Sequence, residues 1–160
     1  MSFDKIVVYT QKQLKLISEK EQIICDIEKR ELRYGYNSIS FEPMEFLFYF
    51  YFINQKSKGL NKISIYEIIS ASTANEFKKY IDHYYPYYYI RETQRKSWQN
   101  GFDAKDFRSK RTKINQKINE LIPDKDIASQ FIIEVDKVYG DSKYFIPASI
   151  TKIKIVLPQK

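Results

Sequence analysis

The sequence predicts an α+β fold, and three observations carry the prediction. A long, almost wholly apolar segment at 43–55 reads as a core helix. A basic amphipathic helix is expected over 103–122, with a strand–turn–strand pattern after it at 131–146. Short β-branched runs stand near both ends of the chain. At 160 residues, 43% of them hydrophobic, the chain is long and apolar enough to bury one real core.

Taken in order, Lys5–Tyr9 (KIVVY) reads as a short strand, and Lys12–Ser18 (KQLKLIS) places Leu14 and Leu16 in period two. Gln22–Ile27 (QIICDI) is a third strand candidate. Tyr34-Gly35-Tyr36-Asn37 is turn chemistry, with a strand at Ser38–Phe41 after it. A rival reading makes Thr10–Leu32 one charged helix, on the spacing of Leu14, Ile17, Ile24 and Ile27. Glu42-Pro43 opens the first helix, since proline suits a first turn. Met44, Phe46, Leu47, Phe48, Phe50, Phe52 and Ile53 surround that helix with apolar side chains, which makes it a buried spine. Lys56–Leu60 breaks it. A second helical region begins near Ser64 and runs to about Tyr84, with Ser70–Thr73 a point of interruption and Pro86 a stop. Tyr84–Ile90 (YYPYYYI) is an aromatic run, and Arg91–Phe102 a polar, basic loop with Trp98 as its anchor.

The helix at 103–122 has two faces. At about 100° per residue, Phe107, Ile114, Ile118, Leu121 and Ile122 fall on one arc, and Lys105, Arg108, Ser109, Thr112, Lys113 and Gln116 on the other. Asp103 is placed to cap its start, Asp106 suits the first turn, and Pro123 ends it. Charge concentrates here. Residues 91–117 hold nine cations against three acids, a net +6 out of +7 for the whole chain. Such a patch is the electrostatic footprint of a nucleic-acid binder, though an acidic protein or anionic membrane could use it.

Asp124–Ser129 reads as a linker or helical turn, Phe131–Val138 (FIIEVDKV) as a strand, Tyr139-Gly140-Asp141-Ser142 as a turn and Lys143–Ile146 as the returning strand. Ile150–Leu157 alternates and reads as a last strand. Helix, helix, basic helix, hairpin is the order of a winged helix-turn-helix. The expected architecture is therefore a three-helix core with an N-terminal antiparallel sheet and a C-terminal β-hairpin wing. One domain would span 1–160: N-terminal strands at 1–41, the helical core at 42–122, and the wing and C-terminal strand at 123–160.

Gln22–Ile53 resembles the start of the effector domain of OmpR/PhoB-type response regulators. In that family a small antiparallel sheet precedes a "Leu-Thr-Pro-x-Glu-Phe" style entry into the first helix, and Phe41-Glu42-Pro43-Met44-Glu45-Phe46 stands in that place. The resemblance resumes at Arg108–Ile122, similar to the family's recognition helix, and at Phe131–Pro147, similar to its wing. It favours strands over the rival N-terminal helix. Similar modules are appended to some CRISPR-associated ligand-sensing proteins. The chain departs from the pattern in a longer Lys56–Phe102 segment, in a wing that lacks the usual Gly-x-Gly-Tyr ending, and in having no receiver domain, so control by phosphorylation is not implied.

No catalytic set stands out. The four glycines are separated, so no phosphate-cradling loop is expected. His83 is the lone histidine and Cys25 the lone cysteine, which gives no support for a metal site or a nucleophilic pair. Asp124 and Asp126 read as a solvated helix start. We therefore expect no enzyme, no cofactor and no metal. A single cysteine, and a start at Met1–Thr10 without a leader's basic end and apolar run, fit a cytoplasmic protein without a membrane partner.

The function expected is a transcriptional regulator that binds duplex DNA. Arg108, Ser109, Thr112, Lys113 and Gln116 would read bases, while Lys105, Lys110 and Arg111, with Lys137 or Lys143 from the wing, would hold phosphates. A homodimer is expected because one winged helix reads few base pairs, and a protein partner would supply the signal. Two other readings predict different partners. One is a non-catalytic winged-helix adaptor or small subunit of a phage or antiviral-defence complex, binding a protein partner or RNA. The other is a single-strand or RNA binder using Tyr84–Tyr89 and Arg91–Trp98.

Overall fold

The computed structural model describes residues 22–84 and 96–158. The strands expected at Lys5–Tyr9 and Lys12–Ser18, and residues 85–95 of the aromatic run and basic loop, lie outside the described residues. The described chain is α+β, with two sheets and five α-helices.

A meander of β1 (Ile23–Asp26), β2 (Glu31–Tyr34) and β3 (Asn37–Ser40) comes first. The rival helix over 10–32 is therefore excluded wherever the chain is described. Leu32 and Cys25 face each other across the β1–β2 ladder, and both are buried. Helix α1 (Pro43–Ser57) follows. Its entry is set by Glu45, whose carboxylate accepts from the Glu42 N–H at 3.0 Å. Ten of its fifteen residues are buried, as an apolar helix without a polar face requires.

The second helical region is divided. A two-residue strand, β4 (Ile63–Ser64), leads into a single turn, α2 (Ile65–Ile68), capped by the Ser64 hydroxyl. Helix α3 (Ala71–Tyr84) follows after a break at Ile69–Ser70. Helix α4 (Ala104–Leu121) is the basic helix, with Asp103 accepting from the Lys105 N–H at its N-cap.

Beyond it the expectation of a hairpin directly after the basic helix needs correction. Asp124 accepts from the N–H groups of Asp126 and Ile127 and starts another helix, α5 (Lys125–Phe131). Phe131 thus belongs to a helix, and the hairpin is β5 (Glu134–Val138) and β6 (Asp141–Phe145). The three-helix core is likewise extended. Helices α1, α3 and α4 meet at its centre, while α2 and α5 are short additions.

The chain's last strand also departs from expectation. Ile150–Lys152 form a 3₁₀ turn capped by Ser149, and only then does β7 (Ile153–Val156) begin. It pairs in parallel with β1, so the four-stranded sheet has the order β3-β2-β1-β7 and is mixed, not purely antiparallel. A parallel partner is reached through a long crossover, here the whole helical core. The second sheet has the order β4-β6-β5 and is antiparallel throughout. One contiguous core runs from Ile23 to Ile153. No described helix is long and apolar enough to cross a membrane.

Two polar contacts fix how the pieces lock. Tyr49 on α1 donates its hydroxyl to the Phe131 carbonyl at 2.7 Å, joining the spine to the end of α5. Burial pushes that hydroxyl's pKa well above its ordinary value, so it remains a donor. Gly101, at φ 95°, lets the loop before α4 press onto the α2–α3 break, where the Phe102 N–H donates to the Ile69 carbonyl at 2.8 Å.

A Cβ on Gly101 would stand 1.9 Å from the Ile69 oxygen, whereas one on Gly35, also at positive φ, would meet nothing within 4 Å. Gly35→Ala should therefore cost about 1–2 kcal/mol, the ordinary left-handed penalty, and Gly101→Ala clearly more. Urea unfolding of the two variants checks the order. Burial, aided by the neighbouring Asp26 charge, also raises the Cys25 thiol far above its ordinary range. The native protein should resist alkylation by iodoacetamide at pH 8 and react at once when unfolded, as intact-mass measurement would record.

Candidate nucleic-acid interface

Helix α4 presents the two faces its sequence implies. Phe107, Ile114, Ile118, Leu121 and the following Ile122 are buried, while Lys105, Arg108, Ser109, Thr112, Lys113 and Gln116 are exposed. Among the described residues no ion pair engages Lys105, Arg108, Lys110 or Lys113. The Thr112 hydroxyl donates to the Arg108 carbonyl one turn back. Thr112 itself is exposed.

The cations of this helix do not share one environment. Lys117 is half-buried and donates to the Glu45 carboxylate at 2.7 Å and to the Ser40 carbonyl at 3.2 Å, with its ammonium 5.3 Å from the centre of the Phe41 ring. Glu45 is almost fully buried, so this cation neutralises a core carboxylate. Arg111 donates from Nε to the Ile133 carbonyl at 2.7 Å, and its guanidinium lies 5.4 Å from the centre of the Tyr144 ring. Lys110 is half-buried beside the loop that precedes the helix.

Asn115, which sequence reasoning passed over, joins α4 to the hairpin. Its amide donates to the Ile133 carbonyl at 3.0 Å and accepts from the Ile133 N–H at 2.9 Å. Arg111 and Asn115 are four residues apart on one face, and both hold the same peptide just before β5. In sequence only the i,i+4 spacing of two hydrogen-bonding side chains hints at this, and nothing there identifies the partner.

The hairpin separates its two lysines. Lys137 lies opposite Ser142 and Asp136 opposite Lys143, so Lys137 and Lys143 stand on opposite faces. Lys137 shares its face with Val135 and Tyr144, and Tyr144 packs on Phe107 of α4 with ring centres 4.9 Å apart. Lys143 shares the other face with Asp136 and Asp141. There Lys62 pairs with Asp136 at 2.9 Å and the Ser64 hydroxyl donates to Asp141 at 2.7 Å. Among the described residues, carboxylates of the hairpin thus share a face with Lys143 and not with Lys137. At the tip Val138 and Tyr139 are exposed. Among the described residues no cluster of His, Cys, Asp or Glu is arranged to hold a metal ion.

The Asn115 amide pair predicts a specific stability cost. Asn115→Ala strands the Ile133 N–H and should lower stability by about 1–3 kcal/mol. Asn119→Ala, at an exposed site on the same helix, should stay within about 0.5 kcal/mol. Equal midpoints for the two variants in chemical denaturation would refute the assignment.

No protein-family model, curated protein or solved structure matches the chain.

Proposed function

We infer that the chain is a winged-helix protein that binds duplex DNA, a non-enzymatic transcriptional regulator of the cytoplasm. The observation that carries this is the outer arc of α4. Six side chains able to contact phosphates or base edges, Lys105, Arg108, Ser109, Thr112, Lys113 and Gln116, lie exposed along one rigid helix. Its three cations have no carboxylate partner among the described residues. A helix of this width and chemistry fits a major groove, with Arg and Lys on phosphates or guanine and Ser, Thr and Gln on base edges.

The wing supports the same reading. Strand β4 pairs with β6 and thereby fixes the hairpin to the junction of α1 and α2, while Arg111 and Asn115 fix its root to α4. Helix and hairpin therefore meet a duplex as one body, with Lys137 as the wing's contact. The intervening α5 and the parallel β7 are departures from the OmpR/PhoB-type pattern. A dimer would double the length of site read, and a partner protein would carry the signal.

Fluorescence anisotropy with duplex DNA, single-stranded DNA and RNA across a salt series tests the proposal. Duplex should bind best. Arg108→Ala/Lys113→Ala should weaken it, and Lys105→Ala should flatten the salt slope by about one unit, since each neutralised phosphate contributes close to one. Lys137→Ala should weaken binding more than Lys143→Ala. Absence of binding at low salt would overturn the reading and leave the arc as a docking surface for an acidic protein. Preference for single strands would overturn it in favour of a strand-binding module.

A further inference from the structure

A cleft of about 350 Å³ lies between the start of α1, the 97–102 loop and the first two turns of α4. That is the scale of small-molecule sites, which run from about 300 to 1,000 Å³. Its apolar lining comes from the buried rings of Phe48 and Trp98, with Met44 and Phe102 beside them. Its rim carries both signs of charge. Asp103, Asp106 and Lys110 stand at the N-cap, third and seventh positions of α4, so all three lie on one face of the helix.

These polar groups retain bonding capacity. One oxygen of Asp103 accepts from the Lys105 N–H, and the other has no partner among the described residues. Neither Asp106 nor Lys110 forms an ion pair there. Trp98 is only 4% exposed and lines the cleft, yet its indole N–H donates to no acceptor among the described residues.

We propose that the cleft binds a free α-amino acid with an apolar side chain. The two aspartates receive the ammonium group. Lys110 and the Trp98 indole receive the carboxylate, and the side chain lies against Phe48, Met44 and Phe102. The pairing follows from the lining: acceptors and donors on one rim demand a ligand with both charges, and the aromatic floor demands an apolar body. The site stands independently of the DNA-binding reading.

Trp98 is the chain's sole tryptophan, so its fluorescence reports on the cleft directly. The intact protein is titrated with L-phenylalanine and L-leucine, and with two analogues that each lack one charge, phenethylamine and 3-phenylpropanoate. The expected result is a saturable change with the amino acids and binding at least tenfold weaker for both analogues. Asp106→Asn and Lys110→Met should each weaken amino-acid binding about tenfold, with circular dichroism and melting temperature unchanged. The proposal is overturned by the absence of a saturable response to either amino acid at millimolar concentration. It is equally overturned if phenethylamine binds as well as L-phenylalanine, or if the variants bind as the wild type does.

Discussion

The rest of the structure depends on one ring. Phe48 projects from the middle of the buried spine, and its ring centre lies 5.0 Å from Phe77, 5.2 Å from Phe102 and 5.3 Å from Phe107. Those three come from α3, from the loop before α4 and from α4 itself. Two contacts are edge-on and the third is tilted, arrangements that aromatic quadrupoles favour over face-to-face stacking, each adding about 0.5–1.5 kcal/mol beyond simple burial. Phe107 then passes the contact on to Tyr144 in the hairpin. The position of α4 against the spine, and of the hairpin against α4, is thus set through a continuous chain of rings.

Around that apolar centre the polar side chains of α4 divide their work. Those facing inward or sideways serve the fold: Lys117 holds the core carboxylate of Glu45, and Arg111 and Asn115 hold the Ile133 peptide. The outward-facing cations Lys105, Arg108 and Lys113 have no ion-pair partner among the described residues. A buried carboxylate without its cation is costly, and so is an unsatisfied peptide. A count of nine cations therefore overstates the charge available to a partner, because two of those on α4 are already engaged within the fold. The proposed duplex-facing arc is the remainder.

Much of this was legible in the sequence because periodicity reports burial. The two faces of α4 follow from the spacing of Phe107, Ile114, Ile118 and Leu121, and the buried spine follows from an apolar run too long for a strand. The hairpin follows from turn residues between β-branched runs. The misses have a common cause, in that long-range partners decided the outcome. Phe131-Ile132-Ile133 has strong strand propensity, but an Asp124 cap seven residues earlier and the Tyr49 hydroxyl at its end hold the chain helical through Phe131. The direction of β7 depends on β1 at the other end of the chain. The need for glycine at 101 depends on a carbonyl at 69. The cleft beside α4 was illegible for the same reason, since its lining comes from three separate segments.

The parallel pairing of β1 with β7 has a consequence for how the chain is made. Ile23 lies beside Ile153, 130 positions later. At synthesis rates of about 5–20 residues per second, the inner edge of β1 waits on the order of ten seconds for its partner to leave the ribosome. During that interval the β1–β2–β3 meander can fold, yet one flank of it stays open to any strand that passes. The late strand, Ile153–Val156, follows a 3₁₀ turn capped by Ser149. Completion of the first sheet is thus tied to the arrival of β7, and a chain stalled before it carries an unfilled flank on β1, a template for pairing with another strand.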